Sequence, residues 1–79
     1  MKFDMQVVKK GRNIHRIGWN GGYLLVEFRG NPQQWLYGPN LPREEYDKLL
    51  RVPYPDKLFQ TNVKSKVGTL YKCAKIGAS

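Results

Sequence analysis

The side chains in this sequence that can do chemistry are cations and aromatic rings. Lys9, Lys10 and Arg12 form the densest basic cluster, with His15 and Arg16 close behind, and Lys64, Lys66, Lys72 and Lys75 form a second one. Ammonium and guanidinium groups at this density can neutralise phosphates, with counterion release and an affinity that falls as salt rises. The plainer alternatives are a solvated N-terminal arm for the first cluster and, for the second, an edge strand whose lysines block pairing with other strands. Between the clusters lie the rings. Trp19 and Tyr23 flank a Gly-rich turn, and Trp35 and Tyr37 alternate within one segment. Stacking of a base on such a ring is worth roughly 1–3 kcal/mol in single-strand binders. Trp19 and Tyr23, expected to be at least partly exposed, are the stacking candidates; a cross-strand pair that only stabilises the hairpin is the alternative. Trp35 and Tyr37 could also form a stacking platform, but are expected in the core beneath a helix, because a small core needs its largest side chains.

Other chemistry is missing its parts. His15 has no nucleophile or carboxylate at a spacing that would make it a catalytic base. Glu44, Glu45 and Asp47 are crowded in sequence, but neighbours on a helix point about 100° apart and acids in a first turn are explained by the helix dipole. Gly18-Trp19-Asn20-Gly21-Gly22 lacks the Lys-Ser/Thr ending of a phosphate loop and opens no helix, so it reads as a turn. With one His and one Cys, a tetrahedral zinc site of Cys and His ligands cannot be assembled from one chain. The lone Cys73 can form no intramolecular disulfide and is expected as a buried, inert thiol. No catalytic residue, metal or cofactor is therefore expected, and the function class is binding.

Charge sharpens this. The 79 residues hold 14 Lys+Arg and 6 Asp+Glu, a formal +8. Residues 1–16 contain five bases and one acid, 17–56 four bases and five acids, and 57–79 five bases and no acid. The middle is balanced like an ordinary globular body, and both ends are basic. If the ends meet, as termini often do, they form one positive face for an anionic partner.

The elements that must position these groups follow from patterning. A chain of this length supports one small core and one domain, 1–79. Asn13–Trp19 reads as a strand in which Ile14 and Ile17 alternate imperfectly, and Asn20-Gly21-Gly22 reads as a hairpin turn. Tyr23–Arg29 alternates with period two: Leu24, Val26 and Phe28 share one face. After Gly30-Asn31-Pro32, Gln33–Tyr37 is a third strand. Pro42 suits the first turn of a helix in which Tyr46, Leu49 and Leu50 cover the sheet, until Pro53 and Pro55 stop it. Tyr54–Phe59 is expected as a connecting segment, with Leu58 and Phe59 plugging the edge of the core. Val67–Ile76 is a last strand, and residues 5–8 an N-terminal edge strand. The fold class is α+β: a small antiparallel β-meander of three to five strands packed by one short helix.

These residues resemble the KTSC domain, a small family named for a C-terminal domain of some lysyl-tRNA synthetases and also found as stand-alone bacterial and phage proteins. The resemblance is carried by Ile17-Gly18-Trp19, Leu24-x-Val26-x-Phe28, Trp35-x-Tyr37, Leu41-Pro42, Tyr46-x-x-Leu49-Leu50, Leu58-Phe59, Val63-Lys64 and Tyr71, over about residues 13–71. Trp35-Leu36-Tyr37 stands where the family has Tyr-x-Tyr. Tyr54-Pro55-Asp56 replaces its usual Ser-x-Gly, and residues 1–12 lie outside the pattern as a basic extension. The synthetase context implies RNA binding.

The expected function is therefore a small, basic, non-enzymatic protein that binds RNA or single-stranded nucleic acid through Lys9, Lys10, Arg12, Arg16, Lys64, Lys66, Lys72 and Lys75, with Trp19 and Tyr23 for stacking. The alternatives are sequestration of a small anionic nucleotide, and inhibition of an acidic host protein. The longest apolar run, Tyr23–Val26, is too short to span a bilayer, and no segment of signal-peptide length opens the chain. The expected address is the cytoplasm of a bacterium or of a phage-infected cell.

Overall fold

A computed structural model describes residues 2–76. Five strands, β1 (Gln6–Val7), β2 (Ile14–Asn20), β3 (Tyr23–Phe28), β4 (Gln34–Gly38) and β5 (Lys72–Ile76), form one antiparallel sheet in the order β1-β2-β3-β4-β5. Helices α1 (Arg43–Arg51) and α2 (Pro55–Asn62) lie between β4 and β5 in the chain, followed by a 3-10 turn at Lys64–Lys66. The fold is α+β, as the alternation of β3 implies.

The hairpin of β2 and β3 closes with Asn20 paired to Tyr23, so the turn itself is Gly21-Gly22, with φ of +55° and +90°. Two consecutive residues at positive φ suit the right-handed twist of the strands, and glycine takes them without strain. Asn20 is thus a strand residue, and its side-chain Nδ2 donates to the Lys2 carbonyl at 2.7 Å. The imperfect alternation of Ile14 and Ile17 has a physical cause. The register slips between Ile14 and Arg16, and this bulge turns both isoleucines to the same core.

One face of the sheet carries Ile14, Ile17, Leu24, Val26 and Tyr37, packed against Leu41, Tyr46, Leu49, Phe59, Val63 and Tyr71. Leu50, expected to join them, lies at the exposed edge of α1. The opposite face is partly covered by the start of the chain. A Cβ at Gly18 would come within 2.8 Å of Met5 Sδ and 3.0 Å of the Phe3 Cβ, so glycine lets this segment lie flat on the sheet. Val8, from the same stretch, is in the core. Residues 2–12 are part of the fold rather than a solvated arm.

Two segments differ from the reading by pattern. Tyr54–Phe59 is not a connector but most of a second helix. Pro55 occupies its first turn, where a missing N–H costs nothing, so the residue that ends one helix starts the next. Pro55, Phe59 and Val63 recur every four residues and are all buried, which is the signal that the prolines masked. The last strand begins at Lys72 rather than Val67. The backbone N–H groups of Thr69, Leu70 and Tyr71 all donate to the Lys66 carbonyl, which holds 67–71 as a turn and leaves Leu70 in solvent.

Candidate nucleic-acid interface

The helical side of the sheet is not fully covered. Beside the core, an open cleft of about 480 Å³ lies between the sheet and α2, lined by Asn13, Ile14, Phe28, Arg29, Asn31, Trp35, Tyr37, Asp56, Phe59, Gln60, Lys64 and Cys73. Its floor is aromatic. Phe59 of α2 meets Tyr37 edge-on at 5.2 Å and Phe28 at 6.0 Å between ring centroids. Trp35 is on the same sheet face as Tyr37 but only half buried. The Lys75 ammonium stands 5.4 Å from the Trp35 ring centre, because β5 pairs Lys75 directly with Trp35. Burial, followed by the hydrogen bond and charge of Cys73, pushes the Tyr37 hydroxyl far above its ordinary pKa. The phenol stays neutral, and the carboxylate among the lining residues is that of Asp56.

The walls are joined by a carboxylate. Asp56, in the first turn of α2, accepts the backbone N–H of Arg12 at 2.7 Å, of Asn13 at 3.3 Å and of Ile14 at 3.0 Å. Successive amides converging on one carboxylate form an anion-holding nest. Its effect is to fasten the turn that follows Lys9 and Lys10 to the start of α2. Arg29 braces the same turn, donating from Nε to the Gly11 carbonyl at 3.1 Å. The cations at the cleft are therefore Arg29 and Lys64 on its lining and Lys75 against Trp35, while Lys9, Lys10 and Arg12 belong to the adjoining turn and are not among the lining residues.

Not every candidate cation takes part. Arg16 pairs opposite Glu27 on the far face of the sheet and binds its carboxylate at two points, 2.9 and 2.7 Å, while Gln34 Nε2 donates to the same Glu27 oxygen at 2.9 Å. The hydrogen bond from Arg16 holds the Glu27 carboxyl below the usual range, against the desolvation that would raise it, and raises the guanidinium in turn. Lys72 alternates with Cys73 and Lys75 and so falls on the far face as well. Lys64 and Lys66 do not share a strand face; they sit in the 3-10 turn, and only Lys64 reaches the cleft.

The rings are also redistributed. Trp19 is half buried and donates from Nε1 to the Leu41 carbonyl at 2.8 Å, with Arg43 5.8 Å from its ring centre. Trp19 and Tyr23 belong to the turn end of the β2–β3 hairpin, about 16 Å along the strand from Ile14 and the cleft. Tyr37 is in the core as expected, whereas Trp35 lines the cleft and is the ring best placed to stack. Cys73, expected buried, is exposed, since β5 is an edge strand and its outer side has no neighbour.

Two other hollows carry fewer charges. One, on the far face by Phe3, Leu25 and Leu36, has only Lys2, and one by Pro53, Tyr54 and Leu58 has only Lys57. Among the described residues, no three His, Cys, Asp or Glu side chains gather where they could hold a metal ion, and no helix is long and apolar enough to cross a membrane. Neither family models nor curated proteins match this chain, so the chemistry of the cleft is read from its own residues.

Proposed function

We propose that the protein is a non-enzymatic binder of single-stranded nucleic acid, with RNA the favoured form given the resemblance to the KTSC family. One observation carries the reading: a single cleft has Arg29, Lys64 and Lys75 around a floor that includes a half-exposed tryptophan. Bases stack on the floor at Trp35, and phosphates lie against Arg29, Lys64 and Lys75. A duplex, whose bases are stacked on each other, offers the floor nothing.

The test is fluorescence anisotropy with short labelled oligonucleotides over a range of salt. Three phosphate contacts at about 0.7 each give a slope of log K against log salt near −2. Lys64→Ala lowers that slope by about 0.7, whereas Lys72→Ala and Arg16→Ala, on the far face, leave it unchanged. No affinity at low salt, or an equal loss in the Lys72 variant, overturns the assignment.

The volume of the cleft favours a second reading. About 480 Å³ lies within the roughly 300–1,000 Å³ of small-molecule sites, so a free nucleotide also fits. A saturable rise in melting temperature with mononucleotides, and none with oligonucleotides, assigns the cleft to that ligand instead.

A further inference from the structure

Besides Asp56 and Asn31, whose Oδ1 accepts the Gln33 N–H, the cleft contains two polar side chains that neither the aromatic floor nor the cations account for. Asn13 enters from the turn before β2, and Gln60 from α2. Among the described residues neither side-chain amide makes a hydrogen bond, although the backbone of Asn13 does. Each amide presents one acceptor and two donor hydrogens at the edge of an aromatic site.

Their relative position is held by the fold. The Asn13 N–H donates to Asp56 Oδ1, which ties its backbone to the first turn of α2. Gln60 is four residues beyond Asp56, one helical turn along the same face. The two residues therefore border one cleft from walls that are joined by a carboxylate, which a ligand does not have to move. Phosphate-binding cations are indifferent to base identity, and a stacking ring nearly so. Carboxamides are not, because each base edge displays its own order of donors and acceptors.

We propose that Asn13 and Gln60 read the hydrogen-bonding edge of one base unstacked into the cleft, which makes the protein base-selective at a single nucleotide position. This rests on the nucleic-acid reading above. It requires that the base on Trp35 point its polar edge toward the turn and α2, while its phosphates remain with Arg29 and Lys64. A one-nucleotide reader of this kind prefers one homo-oligomer over the other three, and the preference survives high salt because it does not come from charge.

The experiment measures affinities for the four homo-oligoribonucleotides by anisotropy, in the unaltered protein and in Asn13→Ala, Gln60→Ala and the double variant, with circular dichroism to verify folding. Both side chains are on the surface of the cleft, and the Asp56 bond to residue 13 uses the backbone, so the substitutions spare the fold. The unaltered protein should favour one base by about tenfold, and the double variant should bring all four to within about twofold of the weakest. Lys64→Ala, in contrast, should weaken all four alike. Absence of any binding overturns the proposed function and this inference with it. Binding with four equal affinities, or a preference that the double variant retains, overturns the base-reading role alone and leaves the nucleic-acid reading standing.

Discussion

Replacing Asp56 by alanine removes the common acceptor of three consecutive backbone amides, at 2.7, 3.3 and 3.0 Å. The bonds to Arg12 and Asn13 are exposed, so water replaces much of what they contribute. The bond to Ile14 is partly buried, and its N–H is left facing the floor of the cleft. A hydrogen bond to a charged group contributes about 1.5–3 kcal/mol, and an abandoned buried donor costs in the same range. The carboxylate also faces the positive end of α2, worth about 0.3–1 kcal/mol. Counting the buried bond in full and the exposed pair as small gives a loss of about 2–3 kcal/mol. At roughly 4–8 °C per kcal/mol for a domain of this size, the melting temperature should fall by about 8–24 °C. Asp56→Asn keeps one acceptor oxygen but turns an amide toward a backbone donor, and should fall between alanine and the native residue. Urea titrations of the three proteins, with the slope checked for constancy, measure this directly. A loss below about 0.5 kcal/mol for alanine, the scale of an ordinary surface substitution, would show that the carboxylate does not hold the turn to the helix.

Acid should weaken the fold through Glu27. Its folded carboxyl is held below the unfolded value near 4.3, so the stability it adds is present above about pH 4.3 and is lost as pH falls through the lowered value. Glu27→Gln should therefore flatten the acid limb of a stability-against-pH curve, and an unchanged limb would refute the pairing with Arg16. The exposed Cys73 thiol lines the cleft, so a thiol-alkylating reagent should label it in the native protein, and bound oligonucleotide should slow the labelling several-fold. Equal rates with and without ligand would place the ligand elsewhere.

Much of the sheet is readable from sequence because its evidence is local. Period-two alternation from Tyr23 to Phe28 and the glycines at 21 and 22 suffice to set the β2–β3 hairpin. The cleft was harder to foresee, since both of its walls depend on features that mislead when read locally. Pro53 and Pro55 look like breakers, which hides α2 together with Asp56 and Gln60. Lys75 reaches Trp35 only through a register that pairs strands far apart in the chain. Trp35 and Tyr37 share a face, so alternation predicts one fate for both, yet Tyr37 is buried and Trp35 only half buried. The two basic clusters were legible as clusters. Which of their members share a surface was decided by the bulge at His15 and by the turn that delays β5.

The Asp56 staple has a consequence for how the molecule opens. Strands β1 to β4 pair with their successive neighbours and so close short loops, whereas β5 returns to β4 across 34 to 42 positions. Asp56 likewise joins residues 42 to 44 positions apart. Closing long loops is entropically costlier and slower, so β1 to β4 assemble first, and β5 and the α2 wall join them later. Run backwards, the same ordering makes β5 and that wall the parts expected to come away before the central hairpins. On the proposed function, a wider gap between α2 and the sheet would let an internal stretch of a strand enter without threading an end.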